Sequence, residues 1–182
     1  MKPILFRTDM VRAILNGSKT QTRRVAKKYV LIDSKLKILH AGKTSALAPY
    51  QTGDILWVRE TWAMDRFESY SESGITTDFY YRADTDDNEY LPIGAKWRPS
   101  IHMPREAARL FLRVTDVRVE RLSDISFEDI KAEGITDPEK LNFPDLWNST
   151  IKPKDREKYD WSANPWVWVY TFEKISREDA IL

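Results

Sequence analysis

Apolar and polar positions alternate along this chain with two different periods. Met10, Val11, Ile14 and Leu15 recur at helical spacing behind Thr8 and Asp9, and Gly17 offers a left-handed stop. This predicts a helix capped by Thr8 and ended at Gly17. The β-branched and long side chains of residues 20–25 then predict a strand, whereas 27–49 has no firm period and reads as a hairpin or irregular excursion. Gly53-Asp54 signals a turn into Ile55-Leu56-Trp57-Val58-Arg59-Glu60-Thr61-Trp62, a strand that starts apolar and ends polar.

Further along, acidic and aromatic loops at 65–74 and 84–94 bracket a short strand at 79–82, so residues 64–94 read as an insertion. Pro99 and Pro104 frame Ser100-Ile101-His102-Met103 as an extended segment. The longest strand pattern covers 110–121, where Val117 and Val119 alternate with Arg118 and Glu120. Ser126 and Asp129 form a capping-box start for a helix over 127–133 that Gly134 closes, which sets Glu133 in its last turn. A carboxylate there opposes the helix macrodipole and calls for a reason. A short helix over 143–150, a charged linker over 151–159 and a final strand from Trp166 to Phe172 complete the pattern. Val167 and Val169 alternate with Trp166, Trp168 and Tyr170, which predicts a strand covered on both faces. Helices and strands in this order predict a single α+β domain over 1–182, built on a small mixed or antiparallel barrel.

Composition narrows the chemistry. With 29 Lys and Arg against 28 Asp and Glu the chain is nearly neutral, so an anion site has to be local. There is no Cys and there are only two His, His40 and His102, which makes zinc improbable and leaves disulfides out. No metal or cofactor is expected. Neither a phosphate-binding glycine loop nor a G-x-S-x-G elbow is present. The apolar run in residues 1–7 is too short for a signal peptide and no stretch is long enough to span a bilayer, so a cytoplasmic protein away from membranes is expected. Seven Trp, eight Tyr and seven Phe beside six Gly fit either a small core filled with rings or a cleft with stacking platforms.

What remains is hydroxyl, amine and carboxylate. Lys19 to Arg24 concentrates an amine, two hydroxyls and two guanidiniums directly after the first helix, where burial on either face of a strand demands partners. A threonine hydroxyl becomes a nucleophile when a base removes its proton, and a lysine serves when its pKa is pushed down. Lys19, Thr22 and Glu133 form the candidate catalytic set. Arg23, Arg24, Arg59, Arg98 and Arg113 are candidates for oxyanion contacts, Glu60 for orienting a guanidinium or reading a base amine, and His102 for acid–base work. Trp62, Tyr81 and Trp97 lie beside these polar residues and are the candidate stacking rings.

Gly17-Ser18-Lys19-Thr20-Gln21-Thr22-Arg23 resembles the G-x-K-x-x-T-x-R signature of the ASCH domain family, a PUA-like β-barrel group. The stretch Gly53 to Trp62 and the helix end Glu133-Gly134-Ile135-Thr136 are similar to it in the same order, closest to larger phage- and prophage-type members. The resemblance implies a fold that handles RNA or nucleosides. It includes amidohydrolases that deacylate N4-acetylcytidine, whose lysine, threonine and glutamate match Lys19, Thr22 and Glu133. The insertion at 64–94 departs from the minimal amidohydrolases and adds walls that narrow or redirect a cleft. The readings that follow are an amidohydrolase acting on a modified nucleoside, a non-catalytic binder of single-stranded RNA or a modified nucleotide, and, more weakly, a ribonuclease. A protein-docking role for the insertion is the remaining alternative, with no partner indicated.

Overall fold

The computed structural model describes residues 1–27, 30–32, 35–37, 39–40, 43–44, 48–68, 75–85, 91–135 and 142–181. In chain order the elements are β1 (Lys2–Leu5), α1 (Thr8–Leu15), β2 (Gln21–Val25), β3 (Val30–Ile32), β4 (Lys35–Lys37), β5 (Leu39–His40), β6 (Lys43–Thr44), β7 (Ile55–Arg59), β8 (Trp62–Glu68) and β9 (Ile75–Tyr81). They continue with β10 (Phe111–Arg121), α2 (Phe127–Ala132), α3 (Phe143–Thr150), α4 (Arg156–Tyr159), β11 (Trp166–Ile175) and α5 (Arg177–Ile181). The class is mixed α+β, and the chain divides into two compact units.

The first unit comprises Met1–Asn16, Ile55–Leu112 and Lys174–Leu182. Here β1 runs parallel to β7, from Lys2 beside Leu56 to Leu5 beside Arg59. Helix α1 buries Val11 and Ile14 on one stripe, as its apolar spacing requires. Arg12 on its other side donates to the carbonyls of Ala83 (3.0 Å) and Thr85 (2.6 Å), which fixes the loop after β9. β8 and β9 form an antiparallel hairpin from Trp62 opposite Tyr81 to Glu68 opposite Ile75. Trp62, Met103 and Ala107 form a core with Met64, Phe79 and Tyr81, and a second cluster joins Ala108, Phe111 and Ala180 to Ile55, Trp57 and Ile175.

The second unit comprises Gly17–Asp54 and Arg113–Glu173. β2 pairs antiparallel with β11, from Gln21 beside Thr171 to Val25 beside Val167. Short hairpins β3–β4 and β5–β6 follow β2. In α2 the capping box forms as its sequence dictates: the Asp129 amide donates to the Ser126 hydroxyl and the Ser126 amide to the Asp129 carboxylate. α3 is capped by Asn142, whose side chain accepts from the Asp145 amide. Leu122, Phe143, Trp147, Val167 and Val169 form the core under these helices, with Val25, Ile130 and Ile151 packed against it. Gly17 (φ +82°) and Gly134 (φ +92°) turn the chain out of α1 and α2 in the left-handed region, where a Cβ would strain the backbone.

Several expectations are corrected. Residues 99–104 are not extended throughout: Met103 and Pro104 are, but Ser100–His102 is a 3-10 turn and Arg105–Ala107 a second one beyond it, because the fixed φ of Pro99 and Pro104 suits the residue just before a helical turn as well as it suits a strand. His102 is exposed on the first of these turns. The expected linker at 151–159 contains a 3-10 turn, Pro153–Asp155, and helix α4. The strand expected at 79–82 is one arm of the β8–β9 hairpin. Thr8 begins α1, with Arg7 before it and no side-chain cap. Strand β1 and helix α5 carry too few residues to announce themselves by periodicity. No closed ring of strands forms among the described residues. Thr136 and the insertion residues 69–74 and 86–90 lie outside the described residues. Among those described, no helix is long and apolar enough to cross a membrane.

Two substitutions separate packing from capping in the second unit. Leu122 is fully buried, so Leu122→Ala is expected to cost about 2–5 kcal/mol in urea unfolding. Ser126→Ala, which removes one cap on an exposed helix end, is expected to cost about 1 kcal/mol in the same measurement.

Candidate functional site

The second unit builds a buried ionic cluster from a strand entry and a helix exit. Lys19 and Glu133 form a one-pair antiparallel bridge, and the Thr20 amide donates to the Ala132 carbonyl at 2.8 Å, so the end of α2 is stitched to the residues entering β2. On this backbone frame the Lys19 ammonium donates to Glu133 Oε2 (2.6 Å), to the Glu133 carbonyl (2.9 Å) and to the Gln21 carbonyl (2.8 Å). The lysine side chain is 1% exposed and the glutamate 7%. This is the reason for a carboxylate in the last turn of α2. The ammonium neutralises it and also satisfies a carbonyl that the helix end leaves without an intrahelical partner.

The second oxygen of Glu133 accepts from Arg23 Nη1 at 3.2 Å. Arg23 spends the rest of its fork on Gln21 Oε1 (2.8 Å), Glu120 Oε1 (2.7 Å from Nη2) and Asp129 Oδ2 (3.1 Å). Arg118 closes the ring, donating to Glu120 Oε2 at 3.1 Å and to both Asp129 oxygens at 3.0 Å. Lys19, Arg23 and Arg118 thus face Glu120, Asp129 and Glu133, a balanced set. Balance is what allows such burial, since an unpaired ion in this interior costs several kcal/mol. Burial pulls the Lys19 pKa below its ordinary value, Glu133 pushes it back up, and the charges of Arg24 and Arg23 add to the lowering. For Asp129 burial acts upward, but the hydrogen bond from Arg118 and the charge of Arg23 outweigh it and hold the carboxyl below its usual range.

The pleat of β2 places Thr22 and Arg24 on the face opposite Gln21 and Arg23. Thr22 is buried beside Tyr170, its partner on β11, and Tyr50 meets the Tyr170 ring edge-on at 5.1 Å. Arg24 is held below the ordinary guanidinium value by burial, with Tyr50, Glu133 and Tyr170 acting upward, so its charge is felt by the Lys19–Glu133 pair as well as by the tyrosines. Of the expected catalytic set, Lys19 and Glu133 are in direct contact, and Thr22 sits three residues beyond the lysine on the adjoining strand.

The other expected binding residues, Arg113 excepted, belong to the first unit. Glu60, 1% exposed, is held in bidentate fashion by Arg109 (Nε–Oε1 2.9 Å, Nη2–Oε2 3.0 Å), whose third nitrogen reaches Asp84. Burial raises the Glu60 pKa against the pull of Arg109. The same guanidinium lies 3.9 Å from the Tyr81 ring centre, and the Tyr81 hydroxyl donates to the Ala107 carbonyl at 2.7 Å. Glu60 therefore does orient a guanidinium, but that of Arg109, a residue with no local sequence signal. Trp62 is buried among Met103 and Ala107, which places its ring in the core, with Arg98 over it at 5.2 Å. Trp97 is half-buried with Arg82 over it at 5.5 Å, and Arg59 donates to the Ile101 carbonyl. Arg113, in the second unit, forms an exposed pair with Glu173 at 3.0 Å.

Sequence reasoning also missed a cavity of about 550 Å³ in the second unit, lined by Arg23, Arg24, Lys27, Trp147, Lys152 and Tyr159 among others. Its signal was dispersed, because half of its wall comes from the 151–159 stretch that reads as a featureless charged linker. Among the described residues no group of three or more acidic or histidine side chains is arranged to hold a metal ion.

Glu133→Gln strands Lys19 and Arg23 in a buried setting with one charge too few. It is expected to cost about 3–5 kcal/mol in urea unfolding, and Lys19→Met/Glu133→Gln together less than the sum of the two single changes. Asp129 binds a proton less readily folded than unfolded, so its contribution to stability is complete above the usual carboxylate pKa of 3.8 and is lost as pH falls through the lowered folded value. Asp129→Asn is expected to flatten the acid limb of the stability–pH curve below that point. No family model, curated protein or solved structure matches this chain.

Proposed function

We propose that this chain is a nucleoside- or RNA-handling protein of the ASCH type, with the small PUA-like barrel which that resemblance implies, and that it removes the acyl group from an N4-acylated cytidine. The observation that supports the reading is the 2.6 Å contact between Lys19 and Glu133, buried at the start of the strand that carries Thr22. In this reading the base is Lys19 in its neutral form, which burial favours, and it takes the Thr22 proton. The threonine oxygen attacks the amide carbonyl, and the tetrahedral carbon then expels the cytosine N4, which collects a proton from the Lys19 ammonium. Water, deprotonated in turn by Lys19, attacks the threonine ester; the acid is released and the departing threonine oxygen recovers its proton from the Lys19 ammonium. Arg24, on the Thr22 face, is the cation suited to the developing oxyanion. Modified nucleoside or single-stranded RNA is the proposed partner, and the proposed compartment is the cytoplasm.

A second reading, binding without turnover, is favoured by a specific observation. The three hydrogens of the Lys19 ammonium are directed at Glu133 Oε2, the Glu133 carbonyl and the Gln21 carbonyl, an arrangement that suits a fixed cation as well as a base in waiting.

Incubation with N4-acetylcytidine and chromatography of the products separates the two. The wild type is expected to release cytidine and acetate. Thr22→Val keeps shape and removes the hydroxyl, and is expected to abolish turnover while leaving the circular dichroism spectrum unchanged. Lys19→Met is expected to slow it by about 10²–10⁴-fold, the usual contribution of a general base. Turnover by Thr22→Val at the wild-type rate, or none by the wild type, refutes the deacylase.

A further inference from the structure

The cavity of about 550 Å³ in the second unit has an unbalanced wall. Among the described residues, Arg23, Arg24, Lys27, Lys152 and Lys154 line it together with a single carboxylate, Asp155. Arg23 is already neutralised by Glu120, Asp129 and Glu133. Among the described residues no ion pair joins Lys27, Lys152 or Lys154 to an acid, and all three are exposed. Apart from Thr150, the remaining lining residues are apolar or aromatic. Val25 and Ile151 are side walls, and Trp147 is held in place by its ring nitrogen donating to the Tyr159 carbonyl at 2.8 Å. A concavity of this size, with one aromatic wall held by a hydrogen bond and three ammonium groups that no acid pairs among the described residues, suits a ligand with a compact multivalent anion next to a flat ring.

We infer that this cavity binds the phosphate of a nucleotide, so that the ligand of the second unit is a phosphorylated nucleotide or an RNA strand end rather than a free nucleoside. The inference rests on the nucleoside or RNA reading for the class of ligand, but not on its chemistry. Position along the chain links the two sites: Arg23 takes part in the buried cluster and also lines the cavity, and its neighbour Arg24 lines the cavity beside it. A phosphate gripped by Lys152 and Lys154 would leave its base free to reach along β2 toward Thr22. A free nucleoside offers these cations no anionic group to neutralise them.

Calorimetric titration of the full chain at low and moderate salt tests the idea with four probes: cytidine, cytidine 5′-monophosphate, a five-nucleotide oligocytidylate and inorganic phosphate. The 5′-monophosphate is expected to bind at least about tenfold tighter than cytidine, as a charge-assisted contact provides. Lys152→Glu/Lys154→Glu, two exposed positions outside the buried cluster, is expected to erase that difference while leaving the thermal midpoint and the affinity for cytidine unchanged. The oligonucleotide arm separates the sources of phosphate. A log–log salt slope that falls in the double variant by about 0.7 for each phosphate no longer neutralised identifies an RNA strand, and an equal slope for mononucleotide and oligonucleotide identifies a single nucleotide phosphate. Equal binding of cytidine and its monophosphate, a preference that survives the double substitution, or binding of inorganic phosphate alone overturns the inference. If adenosine and uridine 5′-monophosphates bind with the same lysine dependence while no acylcytidine is hydrolysed, the phosphate site stands and the deacylase falls.

Discussion

One ion pair governs the second unit. Lys19 brings an ammonium into an interior where burial disfavours its charge, and Glu133 brings a carboxylate to a helix end whose dipole repels it. Each group is unfavourable alone and acceptable only at 2.6 Å from the other. Because the two lie 114 positions apart in the chain, their pairing fixes the direction in which α2 leaves and β2 enters. Backbone contacts at Thr20 and Ala132 set the same register, so main chain and side chains reinforce one arrangement. An apolar pair of similar volume would hold the elements together equally well or better, since buried ion pairs seldom add net stability. What the charged pair adds is intolerance: a shift of one residue would leave two ions without partners.

The guanidiniums of β2 extend this pair in two directions. Arg23 carries the network outward through Glu120 and Asp129 to Arg118, and the alternation of three cations and three acids keeps the cluster neutral. Arg24 points to the other face, toward Tyr50 and Tyr170. Consecutive residues of one strand thus serve two networks, and both guanidiniums also line the cavity of the second unit.

The first unit uses similar components for a different end. Glu60, Arg109, Asp84 and Tyr81 form a compact set in which a bidentate contact, a second carboxylate and a ring face all hold one guanidinium. Each donor or acceptor described there has a partner inside the unit, and Trp62 lies beneath it in the core. Such closure is what a structural cluster looks like. The cavity of the second unit, with more cations than acids on its wall, is its opposite.

Local sequence determined the elements whose causes are local. The stripe of α1, the capping box at Ser126 and Asp129, the left-handed glycines after α1 and α2 and the strand at 110–121 all follow from side chains within a turn or two of one another. The polar run from Lys19 to Arg24 and the misplaced Glu133 were legible as anomalies, since each violates a local preference. Only the tertiary structure decided that these anomalies answer each other, that Glu60 holds Arg109, and that a featureless charged stretch at 152–159 curls into turns that wall a cavity beside β2. The physical reason is range. Propensities and caps act over a few residues and are written where they act, whereas charge pairing and concavity depend on distances in space that only the folded chain defines.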